Sequence, residues 1–307
     1  MDRANRLNWL IFLALGVMWG SSYLFIKIGI ETLTPLTLVA LRLAVGGALL
    51  TGLVLLAREP MPRRVATYGH LVVMSIFNIV LPFTLITWAE LTVASSLAAI
   101  LTATVPLFVI VIAAVALRDE PITVGRVAGL ILGFAGVVML TGGGTSEPGS
   151  LVAQLALIGA AISYAIGAVY ARRNVKGLRP MVPAMLQVTI AFAISAGLAL
   201  VFERPFSLSY PPQAIASVLW IGLLGSGLAY LAFFRLLATW GATRTSMVAY
   251  VLPAVGIVLG VAFAGEAIDA RIIGGSLMIA GGIGLVNARI TLRRLAGALR
   301  RAKEVPA

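Results

Sequence analysis

Few residues in this chain can do polar chemistry, and they recur at fixed spacings inside long apolar runs. Arg42 stands in LTPLTLVALRLAVGGALL, a stretch otherwise free of charge. A cation at that depth needs a partner or water, and the choices are Glu31, a cavity water or a substrate carboxylate. Asn78 lies in a second apolar run and needs side-chain partners, in a cavity or within the bundle. Trp19, Tyr164, Tyr230 and Tyr250 are read either as interface-belt aromatics or as cavity residues. Trp19 and Tyr164, at mid-span and matched by the repeat, are the better placed to stack on an apolar or aromatic group. Thr102 adds a hydroxyl and, with Asn78, a carbonyl that a following proline leaves without its donor. Together Trp19, Arg42, Asn78, Thr102, Tyr164, Tyr230 and Tyr250 are the candidate substrate-binding set. Pro82, Pro106 and Pro253 fall in mid-run, where a proline serves either as a gating hinge or as a simple bend. Carbonyls freed there could accept from a substrate ammonium group.

Other titratable groups have plainer readings. Lys27 lies about 12 Å from its helix midpoint at about 1.5 Å per residue, so it can snorkel or pair with Glu31. His70, the sole histidine, is read as interfacial or as a proton-coupling group. Glu120 and Glu266 open the fifth and tenth helices, where negative charge suits the helix dipole. No Asp or Glu is expected at mid-membrane, which argues against proton-coupled export of cationic drugs. Buried cations are too few for a phosphate-ester carrier. The chain has no Cys, so thiol nucleophiles and zinc thiolate sites are excluded. Ser21 and Ser22 fall near mid-depth and His70 near one surface, too far apart for a Ser–His nucleophile. No enzyme activity, metal or cofactor is expected.

These residues must be positioned by membrane helices. Hydrophobic residues make up 60% of the 307-residue chain and charged ones 11%, against about 25% in a soluble domain. Ten spans are expected, near 9–30, 36–57, 67–88, 92–117, 121–140, 150–171, 180–202, 212–234, 240–264 and 270–289. With both termini on one side, nineteen Lys and Arg fall there, while Arg204 and Arg271 fall opposite. That asymmetry predicts cytoplasmic termini, and it explains the net charge of +12 without nucleic acid. The partners expected are a small-molecule substrate and the lipid bilayer. The tail 290–307 is basic and suits anionic headgroups.

The chain also repeats itself. Pro106 matches Pro253, Glu120 matches Glu266, Gly129 matches Gly275 and Gly136 matches Gly282. At an offset of 145, Trp19 aligns with Tyr164 and Arg42 with Gln187; at 147, Asn78 aligns with Gly225 and Phe83 with Tyr230. Each copy holds five helices, 9–140 and 150–289, within one transport domain spanning 1–307. Five is odd, so the copies enter the membrane from opposite sides as inverted repeats. The linker is Thr141 to Ser150. Glycines of the fifth and tenth helices read as close packing, with a dimer interface as the alternative. Inverted repeats in one chain suit a monomer, and a homodimer stays open.

WGSSYLFIKIGIE followed by a Pro and an Arg resembles the opening of the EamA-type drug/metabolite transporters. The pattern A-S-x-A-A, Pro, Glu and a Gly-rich helix resembles that family's closing motif, in both halves. Within the family the chain is most similar to YddG-type bacterial amino-acid exporters. The resemblance implies an all-α fold of ten helices and export of amino acids, neutral or aromatic, across the bacterial inner membrane by alternating access. Another metabolite or multidrug exporter of the same superfamily is the alternative, and a passive channel stands behind it.

Overall fold

Proline, glycine and apolar length decide where this chain runs straight and where it breaks. The computed structural model describes residues 3–116, 124–141, 150–174, 179–240, 245, 248–249 and 251–285. Tyr250, Glu120, linker residues 142–149 and the tail from 286 lie outside the described residues. The helices are α1 (Arg3–Gly29), α2 (Pro35–Leu56), α3 (Val65–Ser75), α4 (Leu81–Ala89), α5 (Ser95–Thr102) and α6 (Val105–Ala116), then α7 (Val124–Thr141) and α8 (Ser150–Asn174). There follow α9 (Met181–Phe202), α10 (Pro212–Trp220), α11 (Ala229–Trp240), α12 (Val251–Ala264) and α13 (Ala270–Leu285). Among the described residues, seven continuous helical stretches are long and apolar enough to cross a membrane, and with three shorter apolar helices they are consistent with the ten expected spans.

Two of those spans are not uniform α-helices. A π-helical turn, Ile76–Val80, joins α3 to α4, and a longer one, Ile221–Leu228, joins α10 to α11. An offset of 147 carries the first onto the second. Pro82 is the second residue of α4 and lacks the N–H that would reach Asn78, so the wider turn absorbs the lost bond. The second turn has Ala229 where the first has Pro82, and it contains Gly222, Gly225 and Gly227 instead.

Pro106 and Pro253 therefore stand at helix starts, while Pro82 lies inside the continuous stretch Val65–Ala89, just after the first π-turn. Pro106 is the second residue of α6, after a break at Ala103–Thr104, and Pro253 falls in the first turn of α12. A missing N–H costs little in a first turn, whose donors have no intrahelical acceptor.

The described residues form two compact units, 1–109 with 145–267, and 110–144 with 268–307. In the first, α1 packs on α10, the second π-turn, α11 and α12, while α8 packs on α3, the first π-turn, α4 and α5. The first helix of each repeat thus lies against the third and fourth of the other. α2 runs along α9, and a core of Leu43, Leu50, Ile79, Phe83, Val188 and Phe234 fills the space between them and the broken spans. α2 approaches the second π-turn backbone to backbone: a Cβ on Gly46 would lie 2.8 Å from the Gly222 carbonyl. In the second unit α7 and α13 do the same, since a Cβ on Gly136 would lie 2.7 Å from the Gly275 carbonyl. The glycines of these two helices pack on each other.

Candidate functional site

Helix ends set the frame of the site. Glu203, just past α9, accepts from Leu36 N (3.0 Å), Thr37 N (2.7 Å) and the hydroxyls of Thr34 and Thr37 at the start of α2. Glu266, just past α12, accepts from Ser95 N (2.7 Å), Ser95 Oγ (2.7 Å) and Ser96 N (2.9 Å) at the start of α5. Each carboxylate satisfies orphan N–H groups and faces the positive end of a helix dipole. The expectation for Glu266 was correct in kind, but the helix it caps is α5 and not the one it precedes. Burial would raise its carboxyl, and the bonds from Ser96 and Ser95 outweigh that and hold it below the usual carboxylate range.

Between these anchored ends, Arg42 is 2% exposed in the middle of α2. Its guanidinium carbon lies 4.1 Å from the centre of the Phe83 ring, and Nε donates to Ser226 Oγ at 3.1 Å. No described carboxylate pairs with it. A desolvated cation–π contact is worth about 2 kcal/mol and a charged hydrogen bond about 1.5–3 kcal/mol. The desolvation of a buried ion costs several kcal/mol, so these contacts leave the cation under-satisfied. Tyr164, Tyr230, Tyr23 and Glu90 are within its electrostatic reach.

Around Arg42 the two π-turns present carbonyls to aromatic donors. Tyr230 donates its hydroxyl to the Asn78 carbonyl at 3.0 Å, the one that Pro82 leaves free. The oxygen that was expected to be able to hold a substrate ammonium thus already accepts one hydrogen bond from the protein. Trp19 Nε1 donates to the Gly225 carbonyl at 3.2 Å, at the repeat-equivalent position. The Trp19 and Tyr230 rings meet edge to face, 6.2 Å apart. The Asn78 side chain occupies the space that a Cβ on Gly167 would need. Tyr164 packs on the core that holds Phe83 and Tyr230. Thr102 joins from α5: its hydroxyl donates to the Ala98 carbonyl at 2.7 Å and accepts from Tyr23 at 2.5 Å.

Six of the seven expected binding residues, Trp19, Arg42, Asn78, Thr102, Tyr164 and Tyr230, thus lie in the first unit around the two π-turns, and Tyr250 lies outside the described residues. His70 does not join them. Its Nδ1 meets Tyr170 Oη at 2.8 Å beside a cleft of about 540 Å³ that Arg63, Arg64 and Arg173 also line. Ser21 and Ser22 bond to the Met18 carbonyl. Lys27 does not pair with exposed Glu31: Nζ donates to the main-chain carbonyls of Glu90 (2.6 Å) and Val93 (3.3 Å) in the connection at the end of its span.

Glu90 is what sequence reasoning missed. It is 0% exposed, and neither carboxylate oxygen has a hydrogen-bond partner. The length of the connection from Glu90 to Ala94 gives no signal of this, because Leu91 in the same connection is 47% exposed.

The family model described as the EamA-like transporter family matches twice, over residues 7–142 and 151–288. The chain is 28% identical to the uncharacterized transporter YvbV of Bacillus subtilis over 94% of this chain and 93% of that one. It is 30% identical to the uncharacterized inner membrane transporter YedA of Escherichia coli K12, covering 83% of this chain and 82% of that one. Protein PagO of Salmonella typhimurium is 25% identical over 81% and 83% of the two chains. A crystal structure of a protein 23% identical to this chain superposes with a TM-score of 0.68, covering 96% of this chain and 99% of that one. That last likeness is of fold.

Proposed function

The chain belongs to the EamA-like transporter family as a multi-pass membrane protein, and on that premise we propose that it exports amino acids, neutral or aromatic, across the bacterial inner membrane. The Lys and Arg asymmetry puts both termini in the cytoplasm, so the end carrying Glu90, Glu203 and Glu266 faces outward. The halves 9–140 and 150–289 rock about the π-turns, which expose the Arg42 cluster to one side and then the other.

One observation carries this reading: Arg42 is buried with no carboxylate beside it among the described residues. A substrate carboxylate supplies the missing anion with bidentate geometry. Trp19, Tyr164 and Tyr230 flank the position where its side chain would lie. The Asn78 and Gly225 carbonyls each accept one hydrogen bond, from Tyr230 and Trp19 respectively, and an ammonium group would share them with these donors. Pro82 beside the first π-turn, Pro106 after the break at Ala103–Thr104 and Pro253 in the first turn of α12 serve as hinges.

Counterflow of labelled amino acids by purified protein in liposomes tests the reading. Saturable exchange of neutral or aromatic amino acids is expected. Transport of a lipophilic cation or another metabolite with no amino-acid flux would assign the chain to the multidrug or metabolite exporters of the superfamily. Flux that neither saturates nor shows counterflow would mark a channel.

A further inference from the structure

Three glutamates follow three helices that end on the same side of the first unit, and they are treated differently. Glu203 and Glu266 each receive two main-chain N–H groups and at least one hydroxyl. Glu90 receives nothing at either oxygen, yet it alone of the three is fully enclosed. Lys27, the nearest cation, gives its ammonium protons to the Glu90 and Val93 carbonyls rather than to the carboxylate. An ionised carboxylate enclosed without a donor is strongly disfavoured, whereas a neutral carboxylic acid tolerates the same place.

We propose that Glu90 is a proton-binding site: closing the Arg42 cluster takes up a proton there, and opening it to water releases that proton. The site deepens the transport reading and rests on it. The charged and titratable groups facing Glu90 are Lys27 and Tyr23 from α1, Arg42 from α2 and Glu266 beyond α12. Burial pushes the Glu90 carboxyl well above the usual carboxylate range; Lys27 and Arg42 oppose the rise and Glu266 adds to it. Lys27 is a positioning residue that ties α1 to the connection holding Glu90. Proton movement is therefore assigned to Glu90 and not to His70, which lies beside Tyr170 away from the cluster.

Two readouts decide this independently of each other. Infrared difference spectra of the intact protein across pH should show the carbonyl band of a protonated carboxylic acid at neutral pH, lost in Glu90→Gln and shifted in Glu90→Asp. Only ionised carboxylate at neutral pH would overturn the proposal, whether or not any amino acid is transported. In liposomes, exchange should slow as pH rises through the Glu90 range, and in Glu90→Gln the ratio of acid to alkaline rates should fall to about one. A profile kept in Glu90→Gln and lost in His70→Gln would overturn it while leaving amino-acid export standing. If Glu90→Gln does not purify as a folded protein, the wild-type band decides: present at neutral pH it supports the site, absent it overturns it.

Discussion

The two repeats place opposite partners at equivalent positions. In the first half the broken span carries Asn78, and the helix facing it clears the space with Gly167. In the second half the broken span carries Gly225, and the facing helix fills the space with Ser22, which a Cβ on Gly225 would meet at 2.7 Å. The same Cβ would lie 3.1 Å from Arg42 Nη2, so the second break also makes room for the guanidinium. Arg42 in turn has Gln187 as its repeat mate, whose amide faces Met74 sulfur at 3.5 Å. One half is thus polar and cationic, the other neutral and thioether-lined. Duplication supplies two matched joints, and divergence at a few side chains makes them chemically unequal.

Making the halves alike should do the most damage. Arg42→Gln copies the second half onto the first and removes the cation. Loss of charged hydrogen bonds worth about 1.5–3 kcal/mol predicts a roughly tenfold to hundredfold rise in the half-saturation constant for a zwitterion. Unchanged counterflow kinetics would show that Arg42 is purely structural.

Filling the cleared space comes next. Gly167→Ala drives a methyl into the Asn78 side chain. Overpacking of this kind costs about 1–3 kcal/mol, read as a lower thermal midpoint. Adding Asn78→Gly should recover part of the loss, because the residues share one space and their effects are non-additive. If the two losses simply add, the reciprocal packing is not what holds these helices together.

The donors to the two π-turns are unequal, and removing them should show it. Tyr230→Phe leaves the Asn78 carbonyl without the donor that stands in for Pro82, at a cost of about 1–3 kcal/mol. Trp19→Phe should cost less in stability, since no proline follows Gly225 in the second turn. Equal losses would mean that the proline does not distinguish the two joints.

The smallest effect is expected at the helix cap. Glu266→Ala should lower stability by about 0.5–2 kcal/mol, the usual worth of an N-cap. The folded state holds this carboxyl below its unfolded value. Its contribution is therefore complete above the unfolded value and disappears as pH falls through the folded one. The acid side of a thermal-midpoint profile should be flatter in the variant than in the wild type.

Much of this was legible before any coordinates. Apolar runs of span length and matched motifs at offsets of 145 and 147 determine ten helices in two inverted repeats, because a bilayer admits only helices whose backbones are internally bonded. The same pattern pointed to Arg42, Trp19, Asn78, Thr102, Tyr164 and Tyr230, since polar groups in lipid-length runs must face protein or water. Only the tertiary structure decided which partner each one has. Tyr230 meets the Asn78 carbonyl, and Lys27 turns to main-chain oxygens instead of Glu31. Glu266 caps α5, which begins about 170 residues before it in the chain. Periodicity assigns a residue to a helix and a depth. Hydrogen bonds are short and directional, and they depend on which distant helix lies alongside. For that reason a buried Glu90 with empty oxygens could not be read from a turn that looks, in sequence, like any other polar connection.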